Sequence, residues 1–293
     1  MKRVVIDRRR FLKFSGLALA GGIAGSVAAP KPGHAVEVSA AFKNKAMLND
    51  TAKCIGCLSC VTACKKANDL PDLYGYSLET NAETWTTVKF KKSDNNVLKV
   101  KTQCMHCTTP SCTGVCPTGA AYQTAGGVVV LNQDICIGCK NCVVACPFNV
   151  PGFSEETGTA RKCEFCRQRL EKGLIPACAE ACPVEAIEYG DRAELLSKAA
   201  KRVGELVKQG YNNAQVYGIN QLDGLKVLYV LPDLPENIGL PHAPRLANGD
   251  VVLKWAMGIL AAGFVALAPL KAIFQDPETI AVHQEGEVKP HDF

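Results

Sequence analysis

The chain has 293 residues, 47% of them hydrophobic and 21% charged, the make-up of a folded protein rather than a disordered or fibrous one. Its formal net charge of +5 arises in the first 35 residues, where seven cations face Asp7 alone; the remainder carries 26 cations and 27 anions. That balance, with no clustered basic face, excludes a nucleic-acid partner.

Residues 1–35 read as a targeting segment, with a charged DRRRFLKFSG, an apolar stretch from Leu17 to Ala29 and a small-x-small cleavage site at Gly33-His34-Ala35. Arg8 and Arg9, followed by Phe11, Leu12 and Lys13, resemble a twin-arginine export signal. That route implies a periplasmic destination for a protein folded beforehand in the reducing cytoplasm. A short polar lead-in from Val36 to about Asn49 comes next. Sixteen cysteines then fall into four quartets with none left over: Cys54, Cys57, Cys60, Cys64; Cys104, Cys107, Cys112, Cys116; Cys136, Cys139, Cys142, Cys146; and Cys163, Cys166, Cys178, Cys182.

Between the first two quartets, strand-like runs at Thr84–Lys91 and Val97–Lys101 flank the turn-prone Ser93-Asp94-Asn95-Asn96 and predict a hairpin. Another strand is expected at Val128–Leu131. After Cys182, the spacing of Leu195, Leu196, Ala199, Val203, Leu206 and Val207 predicts a helix over Arg192–Gln209, stopped by Gly210. Leu225–Leu231 reads as a strand ended by Pro232 and Pro235, and Pro241 and Pro244 mark a linker that closes the accessory segment 191–249. Val251–Phe274 is apolar apart from Lys254 and Lys271, with an uninterrupted core from Trp255 to Leu270. Since about 20 apolar residues span a bilayer, the expectation is a single transmembrane anchor over 250–274 and a polar tail over 275–293.

The third quartet is C-x-x-C-x-x-C-x-x-x-C-P, the bacterial ferredoxin run, in which three close thiolates hold one cubane and the fourth reaches another. The first has the same spacing but Lys65 in place of the proline; the second stretches one gap, and the fourth places eleven residues between Cys166 and Cys178. Each iron of a cubane takes one external thiolate, and a two-residue gap lets adjacent ligands curl round the same cluster while amides point at its sulfides. Gly56, Gly114 and Gly138 suit such turns, and Pro117, Pro147 and Pro183 redirect the chain after the last ligand. Structural zinc uses paired C-x-x-C but only four ligands, and disulfides give no reason for a fourfold spacing. His106, inside a ligand turn, is read as a neighbour of a cluster rather than a Rieske-type ligand, and His242 as a linker residue.

The quartets, with the strings QCMHCTTPSC, CPTGAAY, DICIGCKNCVVACPFNVP, RKCEFCRQRL and PACAEACPVEAIEYG, resemble the four-cluster electron-transfer subunits of the dimethyl-sulfoxide-reductase and formate-dehydrogenase type, from about Ala52 to Gly190. The resemblance implies an α+β fold over 36–190, built of two interleaved ferredoxin-like modules with short β-hairpins, four [4Fe-4S] clusters and no active site of the chain's own. It also implies exchanged fourth ligands. Cys54, Cys57, Cys60 and Cys182 would hold cluster 1; Cys64, Cys163, Cys166 and Cys178 cluster 2; Cys104, Cys107, Cys112 and Cys146 cluster 3; and Cys116, Cys136, Cys139 and Cys142 cluster 4. A subunit with its own twin-arginine leader and a C-terminal anchor is most similar to the HybA type of periplasmic, membrane-bound nickel-iron hydrogenases. That implies a nickel-iron catalytic pair as donor and an integral membrane, quinone-interacting subunit as acceptor. LKVLYVLPDLPENIGLP also resembles formate dehydrogenase beta subunits, whose catalytic partner carries molybdopterin.

Overall fold

The computed structural model describes residues 42–71, 77–93, 96–247 and 257–263. The first strand, β1 (Lys45–Asp50), lies where only a polar lead-in is expected from the sequence. The first quartet leads into helix α1 (Ser59–Ala67), and a hairpin follows, β2 (Thr87–Ser93) with β3 (Asn96–Thr102), in the register Thr87 opposite Thr102. The second quartet holds α2 (Ser111–Gly114) and is followed by the hairpin β4 (Ala121–Gln123) with β5 (Val129–Leu131). The third holds α3 (Asn141–Ala145) and is followed by β6 (Gly152–Ser154) with β7 (Thr159–Arg161). The fourth spans α4 (Arg167–Glu171) and α5 (Ala177–Glu180). Strand β8 (Ile187–Asp191), helix α6 (Arg192–Lys208), strands β9 (Gln215–Tyr217) and β10 (Val227–Leu231) and helix α7 (Pro235–Ile238) complete the order.

The residue after each fourth cysteine sets the length of the adjoining helix. Proline disfavours helical backbone in the residue before it. Cys116, Cys146 and Cys182 each precede one, and the helices before them span only four or five residues. Lys65 follows Cys64 instead, and α1 runs on through it to nine residues.

Strands β8, β1, β10 and β9 form one mixed sheet in that order, β1 pairing parallel with β10 and antiparallel with β8. Alternate residues face opposite ways along a strand. Ala46, Leu48, Leu228 and Val230 pack under Leu195, Ala199 and Leu206 of α6, while Met47, Val227, Tyr229 and Leu231 turn to the larger core that surrounds the cysteines. Burial on both faces explains why β10 reads as the unbroken apolar run VLYVL. The helix begins where Asp191 accepts a hydrogen bond from the Ala193 N–H, and it ends before Gly210, which is left-handed at φ 97°.

The transmembrane helix expected over 250–274 is not borne out. Within that stretch the described residues are helical at 257–263, and no helix among the described residues is long and apolar enough to cross a membrane. Seven residues rise about 10 Å, a third of a bilayer's hydrocarbon thickness. Residues 246–293 separate from 1–245 as their own unit. The leader at 1–35 and the tail at 275–293 lie outside the described residues.

Candidate metal centres

Cysteines far apart in sequence meet. Helix α1 packs against α5, bringing the first quartet to the fourth, and α2 packs against α3, bringing the second to the third. Cys54, Cys57, Cys60 and Cys182 line one cavity together with Lys101. Cys64, Cys163, Cys166 and Cys178 line a second, and Cys104, Cys107, Cys112 and Cys146 a third with Lys162. Cys112, Cys116 and Cys136 pack against the small core that holds Cys142, whose thiol lies in the field of Cys136, Cys116 and Cys139. Electrostatic neighbours order the four groups in a row: Cys60 is coupled to Cys178, Cys163 to Cys104, and Cys112 to Cys142.

The turns that carry these thiols share one backbone feature. The residue two positions after the first cysteine is left-handed in all four quartets: Gly56 at φ 76°, His106 at 46°, Gly138 at 67° and Phe165 at 58°. This conformation turns successive amides inward, the geometry of an anion-binding nest. Leu58 and Lys140, two residues further on in the first and third quartets, are left-handed as well. Gly114, expected in such a turn, instead ends the short helix α2. The non-glycine members were not legible as left-handed positions from residue type alone. His106 and Phe165 occupy equivalent places and touch edge to face, their rings 4.9 Å apart, and both are buried. His106 Nδ1 accepts the Val129 N–H at 3.1 Å, so its proton sits on Nε2. Burial first, then Lys162 and other cations, keeps that ring neutral.

Backbone amides reach the sulfurs: the N–H of Ala121 lies 3.3 Å from Cys116 Sγ, that of Ala186 3.2 Å from Cys182 Sγ and that of Phe165 3.4 Å from Cys163 Sγ. Burial pushes the thiols of Cys60, Cys64 and Cys112 up to about 12 and Cys142 up to about 11, with neighbouring cysteines adding to the rise. Two thiols go the other way: Cys57, at the surface, is pulled down by hydrogen bonding to Ser59, and Cys116 is held down although burial raises it, because hydrogen bonds from Ala121 and Thr118 outweigh that burial. Buried thiols this averse to ionisation act as thiolate ligands only beside concentrated positive charge, which iron supplies.

All sixteen cysteines are free of disulfides. Thiols gathered in fours from distant quartets, with backbone amides directed at several of the sulfurs, suit a cubane, whose four irons each take one thiolate.

These features define an iron-sulfur electron-transfer protein with four [4Fe-4S] clusters. Two family models, each described as a 4Fe-4S dicluster domain, match residues 53–120 and 96–192. The nitrate-inducible formate dehydrogenase iron-sulfur subunit of Escherichia coli K12 is 38% identical over 237 residues, covering 75% of this chain and 81% of that protein. The formate dehydrogenase iron-sulfur subunit of Haemophilus influenzae is 34% identical over 277 residues, covering 88% and 85%. The hydrogenase-2 operon protein HybA of Escherichia coli O157:H7 is 32% identical over 296 residues, covering 83% and 86%. The chain belongs to the family of iron-sulfur subunits that serve such oxidoreductase complexes.

Proposed function

We propose that the chain relays single electrons from a periplasmic nickel-iron catalytic pair to an integral membrane partner that reduces quinone, and that it performs no bond-making chemistry itself. The observation that carries this reading is the sharing of cavities by cysteines from distant quartets, in a row with exposed thiols at both ends: Cys57 at one and Cys139 at the other. Bound cubanes supply the one-electron carriers. The ligands are then Cys54, Cys57, Cys60 and Cys182; Cys64, Cys163, Cys166 and Cys178; Cys104, Cys107, Cys112 and Cys146; and Cys116, Cys136, Cys139 and Cys142. The protein's own part is to fix these thiolates, exclude water from the two middle sites and present the end sites to partners.

The twin-arginine motif at Arg8 and Arg9 supports export across the inner membrane, and a separate leader is what favours the hydrogenase assignment. A second reading, the iron-sulfur subunit of a formate dehydrogenase, is favoured by the higher identity to those relatives. Metal analysis of the complex purified through this subunit decides between them: nickel supports the first, molybdenum or tungsten the second. Lysine substitution of Arg8 and Arg9 should leave the protein in the cytoplasm; undiminished periplasmic recovery would exclude the export route.

A further inference from the structure

Two lysines are buried among the core residues. Lys101, at the end of β3, is 3% exposed, and Lys162, just after β7, is 1% exposed. An ammonium in such surroundings is costly unless an opposite charge compensates it. No carboxylate among the described residues forms an ion pair with either lysine. Their hydrogen bonds go to neutral groups: Lys101 Nζ to the Gln103 side-chain carbonyl, and Lys162 Nζ to the carbonyls of Val129 and, at 3.0 Å, Cys163. What surrounds them is sulfur. Lys101 lines the first cavity, while its hydrogen-bond partner Gln103 and its neighbour Met47 line the second. Its strongest electrostatic neighbours are Cys178, Cys60, Cys163 and Cys64. Lys162 lines the third cavity beside Cys104 and Cys112, with Cys163 of the second also close and Glu164 more weakly felt. Lys101 lies near the end of the second strand of one hairpin and Lys162 just after the second strand of another, each shortly before a quartet.

We infer that Lys101 and Lys162 are tuning residues, buried cations that raise the reduction potentials of the inner clusters and keep them level with the outer ones. Adding an electron to a cluster adds negative charge, and a site walled off from water disfavours that charge more than a surface site does. The outer sites are open to solvent at Cys57 and Cys139, whereas the more enclosed second and third sites have Lys101, which stands between the first site and the second, and Lys162 close by. The electron comes from a reduced neighbouring cluster, no bond is made or broken, and both lysines keep their protons throughout. Without the two charges the middle of the row would become an uphill step.

The inference rests on the four-cluster relay, and the experiment separates the two. Midpoint potentials are measured by EPR-monitored redox titration of the full chain in its anaerobically purified complex, for the unmodified protein and for Lys101→Met, Lys101→Gln, Lys101→Arg and Lys162→Met. Both neutral Lys101 variants should lower one or two of the midpoints, changing the one-electron equilibrium with the remaining clusters at least tenfold, or 59 mV. Lys101→Arg should restore most of the shift, and Lys162→Met should lower a different set that includes the third site. Unmoved midpoints, a uniform shift of all four, or an arginine variant displaced as far as methionine would overturn the inference. Loss of iron from both neutral variants would make Lys101 an assembly residue and overturn it equally. Iron and acid-labile sulfide are determined on the same samples, and a shortfall in the unmodified protein would refute the relay itself.

Discussion

The ligand turns of the first and third quartets differ from those of the second and fourth, although all four adopt the same left-handed step. At Gly56 and Gly138 a hairpin lies directly over the turn: a Cβ on Gly56 would stand 3.0 Å from Phe90 Cε1 in β2, and one on Gly138 would stand 2.3 Å from the Gly158 carbonyl oxygen. At His106 and Phe165 the turns face each other in the core, where a side chain is needed to fill space. Glycine is thus required where backbone or ring approaches from outside. A bulky residue bears the left-handed strain where its burial repays the roughly 1–3 kcal/mol involved.

The comparison is broken most forcefully by emptying the inner turn. Phe165→Ala should destabilise the holoprotein by about 3–5 kcal/mol, since a buried aromatic is removed while the strained φ remains. Anaerobic denaturation followed by loss of cluster absorbance measures it, and a change below that of a surface substitution would show that the ring is not structural. Gly138→Ala should come next, combining the roughly 1–2 kcal/mol of a left-handed alanine with displacement of the Gly158 carbonyl; iron per chain should fall in step. Gly56→Ala meets only side chains that can move, Phe90 and Lys99, and should cost little beyond the left-handed term. Equal behaviour of the two glycine variants would erase the distinction between them. His106→Ala should cost about 1–3 kcal/mol because the buried Val129 N–H loses its acceptor. The finest test is His106→Gly, which should be more stable than His106→Ala by about 1 kcal/mol, reversing the order usual for these residues.

Much of the architecture was legible because the chemistry is written at fixed spacing. The quartets, the hairpin at Thr87–Thr102, the helix after Asp191 and the strand ending at Leu231 all sit where turn residues and periodicity indicate. Strand β1 was not legible. KAMLND is six residues long with polar ends, and what makes it a strand is its partners, β8 and β10, roughly 140 and 180 residues later in the chain. Lys101 and Lys162 were missed for a related reason: a lysine next to a strand or a quartet reads as solvated until the fold buries it. The expectation of a membrane helix came from an apolar run flanked by lysines and Trp255, and among the described residues no helix is long and apolar enough to cross a membrane. The four-way grouping of the cysteines came from resemblance, because spacing shows which three thiols are neighbours but not which distant fourth one joins them.

The pairing of β1 with β10 governs how the polypeptide is made. Thr51 bonds the Val230 carbonyl through both its amide, at 3.2 Å, and its hydroxyl, at 2.9 Å, across 179 positions, and Cys182 shares a cavity with Cys54. The earliest-synthesised quartet therefore waits on the ribosome until residues beyond 231 emerge before its surroundings close. Closure of the first site is thus tied to completion of the sheet, whereas the second and third quartets, which meet through α2 and α3, need neither of its two central strands.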